Sequence, residues 1–217
     1  MKCDSCTEKT CYQGRDCREN RENRDGREES RRCYTEADKK IHRVSTAIEG
    51  SFYMQKTRVE ELIVFCREMG IEKIGVAFCV GLAEETRVLC SYLRTFFTVS
   101  SVCCKVCGVA KEDLALPKIK EDRYEAMCNP VMQARVLEEE KTGLNLLVGL
   151  CIGHDILFST YSHAPVTTLI VKDRVLTHNP VGTLYSRYYK NKFAGITEVD
   201  RPDYGDSLGK TPPENKE

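Results

Sequence analysis

The chain has 217 residues, enough for one substantial core, and sets 33 basic against 33 acidic side chains. That balance removes the overall field that would recruit nucleic acid or an anionic membrane. No apolar run approaches the roughly 20 residues of a membrane span, and Met1-Lys2-Cys3-Asp4 lacks the apolar stretch of a signal peptide, so the expected location is the cytoplasm.

Thirteen cysteines in a reducing compartment speak for metal or redox chemistry rather than a disulfide framework. Five stand in the first 33 residues: Cys3, Cys6, Cys11, Cys17 and Cys33. The Cys3-x2-Cys6 spacing lets two thiolates share one metal across a short turn, with Cys11 as a third ligand and Cys33 as a fourth. Four thiolates would close a zinc site or hold an iron–sulfur cluster, and the spacing does not name the metal. Cys17 is set aside because it lies inside the charged run RDCRENRENRDGREESRR, residues 15–32. That run cannot bury a core and is expected to be solvated unless clamped at its ends. Its acidic residues cancel its arginines, which argues against a nucleic-acid arm.

From Glu36 the pattern turns globular. Residues 36–50 read as a helix. Thr57-Arg-Val-Glu60 is a capping box ahead of Val59, Leu62, Ile63, Cys66 and Met69 at helical spacing, and Gly70 is the stop. Strands are expected at Glu72–Phe78, Phe96–Val102, Leu144–Leu150 and Val166–Lys172. Between them lie a helix at Leu82–Leu93, another starting at Asn129-Pro130 and running to Thr142, and a short one from Gly153. Asn179-Pro180 opens a last helix through Tyr189. The alternation predicts an α/β fold: a mostly parallel sheet of four or five strands with helices on both faces, three-layered and Rossmann-like. The expected layout is a Cys-rich arm at 1–35, an α/β domain at 36–202 and a mobile tail at 203–217.

In such sheets, sites form at the carboxyl ends of the strands. Cys79, Cys103, Cys104 and Cys151 all fall there, and Cys128 stands just before the Asn129 cap. An internal echo, IGVAFCVG around Cys79 and LLVGLCIG around Cys151, repeats the device of strand, cysteine and glycine. A thiol at a helix start has its thiolate stabilised by exposed amides, which makes Cys79, Cys128 and Cys151 metal ligands or nucleophiles. Three cysteines from three loops would leave a coordination position open, as catalysis needs. Cys107 pairs in spacing with Cys104 and with Cys103, but a radical-SAM loop is excluded because Ala110 stands where its last cysteine would be. Cys66 and Cys90 lie on apolar helix faces and read as packing.

His154 is the candidate extra ligand or acid–base group and Asp155 its catalytic neighbour, although adjacent helical residues do not face each other. Asp155 serves equally as a helix-dipole residue. His178 also precedes a helix and is a weaker candidate for the same edge, whereas His42 and His163 read as surface residues. No G-x-G-x-x-G or P-loop stands beside Gly81, Gly153 or Gly182, so nucleotide binding is not expected.

The segments IGVAFCVGLAEE (74–85), SVCCKV (101–106), EDRYEAMCNPVMQA (121–134), GLCIGHDILF (149–158), APVTTLIVKDRVL (164–176) and HNPVGTLYSRYY (178–189) resemble a family of uncharacterised prokaryotic proteins. That family is labelled a domain of unknown function and described as predicted metal-binding. The resemblance covers roughly residues 57–190 and includes the early Cys-x2-Cys pair. It implies metal binding and brings no substrate. Cys107 stands where the family more often has a small residue, and the Arg/Glu-rich insert is particular to this chain.

The sequence therefore predicts an iron–sulfur cluster or zinc at the sheet edge, acting as a Lewis acid on a small-molecule substrate in hydrolase, lyase or desulfurising chemistry. A metal or redox sensor, or electron carrier, built on the N-terminal arm is the alternative. A metal-free thiol enzyme using Cys151 or Cys128 with His154 is the third reading.

Overall fold

A computed structural model describes residues 2–16 and 26–196 of the chain. They fall into two compact units, divided between Lys56 and Thr57. Cys17, the centre of the charged run and the tail after Asp203 lie outside the described residues.

In the first unit, short 3-10 turns at Cys3–Ser5 and Thr10–Gln13 precede helices α1 (Gly26–Arg32) and α2 (Glu36–Phe52). The end of the charged run, expected to be solvated chain, is helical in α1. Glu28 sits one turn before both Arg31 and Arg32 and pairs with them at 3.2 and 3.0 Å, the spacing that stabilises an exposed helix. Thr35 starts α2 with a reciprocal cap: its hydroxyl accepts from the Asp38 amide and Asp38 accepts from the Thr35 amide at 2.8 Å.

The second unit opens on α3 (Arg58–Met69). The Glu60 carboxylate accepts from the Thr57 amide at 2.7 Å, completing the predicted capping box. Gly70 ends the helix at φ +75°, and the Ile71 amide donates back to the Cys66 carbonyl at 2.8 Å. Four strands follow: β1 (Lys73–Phe78), β2 (Thr98–Cys103), β3 (Leu144–Val148) and β4 (Val166–Ile170), all parallel, in the order β2-β1-β3-β4. Strand β3 is buried along its whole length and β1 everywhere but its ends, so their near-continuous apolar runs belong to the sheet centre.

Helices α4 (Ala83–Leu93), α5 (Pro130–Glu139) and α6 (His154–Tyr161) make the crossovers. The chain steps from β1 outward to β2, then reverses past β1 to β3 and on to β4. Right-handed connections therefore place α4 on one face and α5 and α6 on the other. The reversal creates a switch point between β1 and β3, the place where open α/β sheets bind ligands. The core fills both sides of the sheet, with Ile74, Val76, Leu93, Leu137, Leu146 and Phe158 excluded from solvent. Cys66 and Cys90 belong to it, and burial pushes the Cys66 thiol up to about 11.

The last predicted helix is two: α7 (Gly182–Tyr185) and α8 (Arg187–Ala194), because Ser186 between them is extended at ψ 123°. Among the described residues no helix is long and apolar enough to cross a membrane.

Candidate metal centre

The carboxyl edge of the sheet is extended by one hydrogen bond per strand pair. Cys79 N donates to Val148 O at 3.1 Å, Cys104 N to Phe78 O at 2.8 Å and Gly149 N to Ile170 O at 2.7 Å. The residues just past each strand are thus held in register rather than left as free loop. Gly149 has φ +63°, and a Cβ there would lie 2.1 Å from Leu82 Cδ1, so only glycine lets the chain turn toward Cys151 at this point.

Between β2 and α5 the chain makes a long excursion that returns on itself. Asn129 N donates to Cys104 O, Met127 N to Val109 O and Lys111 N to Glu125 O at 2.8, 2.8 and 3.0 Å. Ala110 and Ala126 form an antiparallel bridge, which closes the base of the excursion and brings Cys128 back beside Cys104. Glu125 holds the far part: its carboxylate takes Lys111 Nζ at 2.8 Å and the amides of Ile119 and Lys120 at 3.0 and 2.9 Å. Those donors, Lys111 first, hold its carboxyl down to about 2. The Asn129 side chain caps α5 through the Met132 amide at 3.2 Å, as its Asn-Pro start predicts.

These constraints line up four predicted residues. The Cys104 sulfur lies between Cys79 and Cys128, near enough to each to influence its protonation, and Cys128 is in turn influenced by His154. The Cys104 sulfur also accepts from the Val80 amide at 3.3 Å, and the Gly81 amide serves Cys79. Charge is distributed unequally. Cys128 is pulled down to about 3, by the Cys104 thiol first and then by His154 and Lys105. Cys79 falls to about 5 through the Cys104 thiol, the Gly81 amide and Lys172. Cys104 is driven the other way, because it keeps the proton its two neighbours share. His154 is raised by its bond to Cys128. The two outer sulfurs are thus shifted toward thiolate, the central one toward thiol and His154 toward its protonated form.

Three cations complete the edge, none of them foreseen from the sequence. Lys172 Nζ donates to Cys79 Sγ at 3.2 Å, Arg174 to Cys151 Sγ at 3.0 Å, and Lys105 Nζ to Cys128 Sγ at 3.5 Å and Ala126 O at 2.6 Å. Lys172 and Arg174 follow β4 at alternate positions, and that spacing beyond a parallel strand is the signal that could have found them.

The remaining candidates are spread more widely. Cys151 accepts from Arg174. Cys103, the last residue of β2, is partly buried against the core, while the neighbouring Cys104 is buried in the cluster. Cys107 is exposed at φ +70°. The Asp155 carboxylate accepts from the Gly153 and Ile156 amides at 3.0 and 2.8 Å, which occupies it at the start of α6. His178 Nδ1 takes the Asp173 amide at 3.1 Å and closes its own loop, and His163 pairs with Glu138 at 3.0 Å on the surface. In the first unit Cys3, Cys6, Cys11 and Cys33 are all exposed; the Lys9 amide points at Cys6 Sγ at 3.4 Å. Among the described residues no three His, Cys, Asp or Glu side chains stand close enough to hold a metal ion as they are placed.

A family model described as "Protein of unknown function (DUF1847)" matches residues 17–169. The chain is also 50% identical over 192 residues to the uncharacterized protein MJ0455 of Methanocaldococcus jannaschii, which covers 88% of this chain and 97% of that protein. No solved structure matches it.

Proposed function

The chain belongs to the DUF1847 family of proteins of unknown function, and on that premise we propose that its sheet edge is a thiolate-rich metal centre in a cytoplasmic protein. Cys79, Cys104 and Cys128 are its sulfur ligands and His154 its fourth donor, holding zinc or an iron–sulfur cluster. The observation that carries this reading is the convergence of Cys79, Cys104 and Cys128 at the switch point of the sheet, held by the backbone bonds Cys79 N to Val148 O, Cys104 N to Phe78 O and Asn129 N to Cys104 O, with His154 next to Cys128. A borderline-soft cation that displaced the Cys104 proton would replace the shared proton as the object all three sulfurs point at. Small side-chain rotations are needed to close the donors around it, and they come from three different loops, which permits that movement.

By chemistry, though not yet by spacing, the donor set suits either group. Zinc takes three thiolates and an imidazole in a tetrahedral site, and thiolates hold iron–sulfur clusters. The amides on Cys79 and Cys104 are the backbone N–H bonds that stabilise anionic sulfur in such sites. When bound, the metal supplies a Lewis acid. The chain's own residues do the rest: Lys105 and Lys172 neutralise charge, and His154 closes the site as a ligand or, off the metal, leaves a position open and acts as an acid–base group. Cys151, three residues before His154 in the same turn and bonded to Arg174, is a further ligand or a group that meets substrate. A second, structural site on Cys3, Cys6, Cys11 and Cys33 is proposed for the N-terminal arm.

A metal-free thiol chemistry is the second reading, favoured by the Cys128–His154 contact and the Lys105 ammonium beside it. Anaerobic purification followed by zinc, iron and acid-labile sulfide analysis separates the two. Metal that is kept when residues 1–35 are deleted and lost in Cys128→Ala supports the centre. A core without metal, in which Cys128 alone is alkylated fast, supports the thiol reading.

A further inference from the structure

Cys79 and Cys104 stand at matching positions, one residue past the ends of two paired strands. Phe78 and Cys103 are the last pair in the parallel register of β1 and β2. The Cys104 amide carries that ladder one step further, to Phe78 O at 2.8 Å, and Cys79 is still extended at φ −78° and ψ 138°. The next pair in register is therefore Cys79 with Cys104. Neighbouring strands lie about 4.8 Å apart, inside the roughly 4.4–6.8 Å that separates the Cα atoms of a disulfide. Successive side chains alternate between the faces of a sheet, so Cys79 and Cys104 share a face while Cys103, opposite Phe78, takes the other. The position of the sulfur agrees: Cys104 Sγ is 3.3 Å from the Val80 amide, the backbone group next to Cys79.

Cys79 and Cys104 are only 8% and 2% exposed, so a dissolved reagent meets neither of them first. Cys128 is half-buried and more open. The Asn129 amide bonds Cys104 O at 2.8 Å, and Lys105, which follows Cys104, reaches Cys128 Sγ at 3.5 Å. Cys128 is thus the more exposed neighbour of the pair.

We propose that Cys79 and Cys104 form a reversible dithiol–disulfide couple, oxidised through Cys128 by a low-molecular-weight disulfide, RS–SR. The Cys128 sulfur attacks RS–SR, forms a mixed disulfide and releases one thiolate. Cys104 then attacks the Cys128 sulfur and releases the second, and Cys79 attacks the Cys104 sulfur and sets Cys128 free. The protons of the two protein thiols go to the two displaced thiolates, so one RS–SR is reduced to two RSH while Cys79 and Cys104 are oxidised to one disulfide. In a reducing compartment such a bond is transient, which suits a couple that turns over rather than a structural staple. The couple goes beyond the metal-centre reading and does not rest on it; a metal on the same sulfurs would compete with it.

The test uses the full chain with EDTA present, so that no metal shields the sulfurs. The protein is incubated with glutathione disulfide, quenched in acid, blocked with N-ethylmaleimide, digested without reduction and mapped by mass spectrometry. The peptide of Cys79 should be joined to the peptide that carries Cys103 and Cys104, and dithiothreitol should undo the link. It should persist in Cys103→Ser and vanish in Cys104→Ser, and in Cys128→Ser it should form at least about ten-fold more slowly. Cys79 left free at equilibrium, or a link that survives in Cys104→Ser, overturns the couple. An unchanged rate in Cys128→Ser overturns the route through Cys128. Should Cys104→Ser not fold, fragmentation of the joined wild-type peptides, which tells Cys103 from Cys104, decides alone.

Discussion

The side-chain amide of Gln133 donates to the Val102 carbonyl at 2.7 Å, which fastens α5 to the strand end that leads into Cys104. A second bond from the same nitrogen reaches Phe78 O at 3.2 Å, just ahead of Cys79. One buried side chain on the helix that follows Cys128 therefore fixes the strand ends that deliver the other two sulfurs. Among the described residues its Oε1 has no hydrogen-bond partner, so these two bonds come with one unpaired buried polar atom.

Gln133→Leu should therefore destabilise the fold by about 1–3 kcal/mol, the usual range for stranding a buried acceptor. Metal retained after dialysis should fall with it. Urea unfolding and metal analysis on one preparation check both, and a variant as stable and as loaded as wild type defeats the account.

Single alanine substitutions should sort the cysteines. Metal bound by the core should drop at Cys79, Cys104 and Cys128 and stay at Cys103 and Cys107, in protein whose arm carries Cys3→Ala and Cys6→Ala. Equal losses at Cys103 and Cys104 would mean that the sulfur chosen by the turn after β2 is not the ligand. Cys66 and Cys90, being core packing, should cost stability and no metal.

Alkylation of metal-free protein should report the unequal thiols. Cys128, held down to about 3 and half-buried, should react with iodoacetamide at a rate nearly flat between about pH 5 and 8, whereas an ordinary thiol speeds up steeply over that range. Peptide mapping by mass spectrometry gives the rate for each cysteine. A Cys128 rate that climbs with pH like that of a free thiol speaks against the shared-proton chain.

Glu125 supplies the acid limit of the excursion between Cys104 and Cys128. Its pKa is lowered from 4.5 to about 2, so its contribution is fully present above the ordinary carboxylate value and is lost as pH falls toward about 2. Amide exchange at Ile119 and Lys120 should quicken across that window, and Glu125→Gln should show the fast exchange already at neutral pH. Exchange indifferent to both changes would place the anchor elsewhere.

Gly149→Ala meets two obstacles at once, a left-handed backbone and Leu82 at 2.1 Å from the new carbon. A loss of about 2–4 kcal/mol is expected from strain and overpacking together, measured by thermal or urea unfolding. A near-neutral result would show that Leu82 can move aside.

The sequence carried the elements because their signals are local. Thr57 with Glu60, Asn129 with Pro130, and Gly70 each act within one turn, and all behave as their spacing implies. It also carried the sheet edge, since the cysteines follow strands whose parallel order comes from the alternation with helices. What it could not carry depends on contacts made over long separations. Cys103 and Cys104 are neighbours with the same chemistry, and only the turn after β2 sends one into the cluster. Lys172 acts on Cys79 from 93 residues away, and a lysine in a loop has no periodicity to mark it. Gln133 looks like one more polar residue on an amphipathic helix until Val102 and Phe78 are placed beneath it. The break at Ser186 turns on a single backbone angle; Ser186 stands as the N-cap of α8 but makes no side-chain cap bond.

The closed base of the excursion has a consequence for how this protein can vary. Because Asn129 returns to Cys104 through a 2.8 Å backbone bond, the two sulfurs at 104 and 128 are joined by a clasp that does not run through the loop's tip. Chain inserted or removed around Leu116–Glu121 would ride outside that clasp. The segment is therefore a port, where lengths and side chains can be exchanged to face new partners while the spacing of the sulfurs stays unchanged.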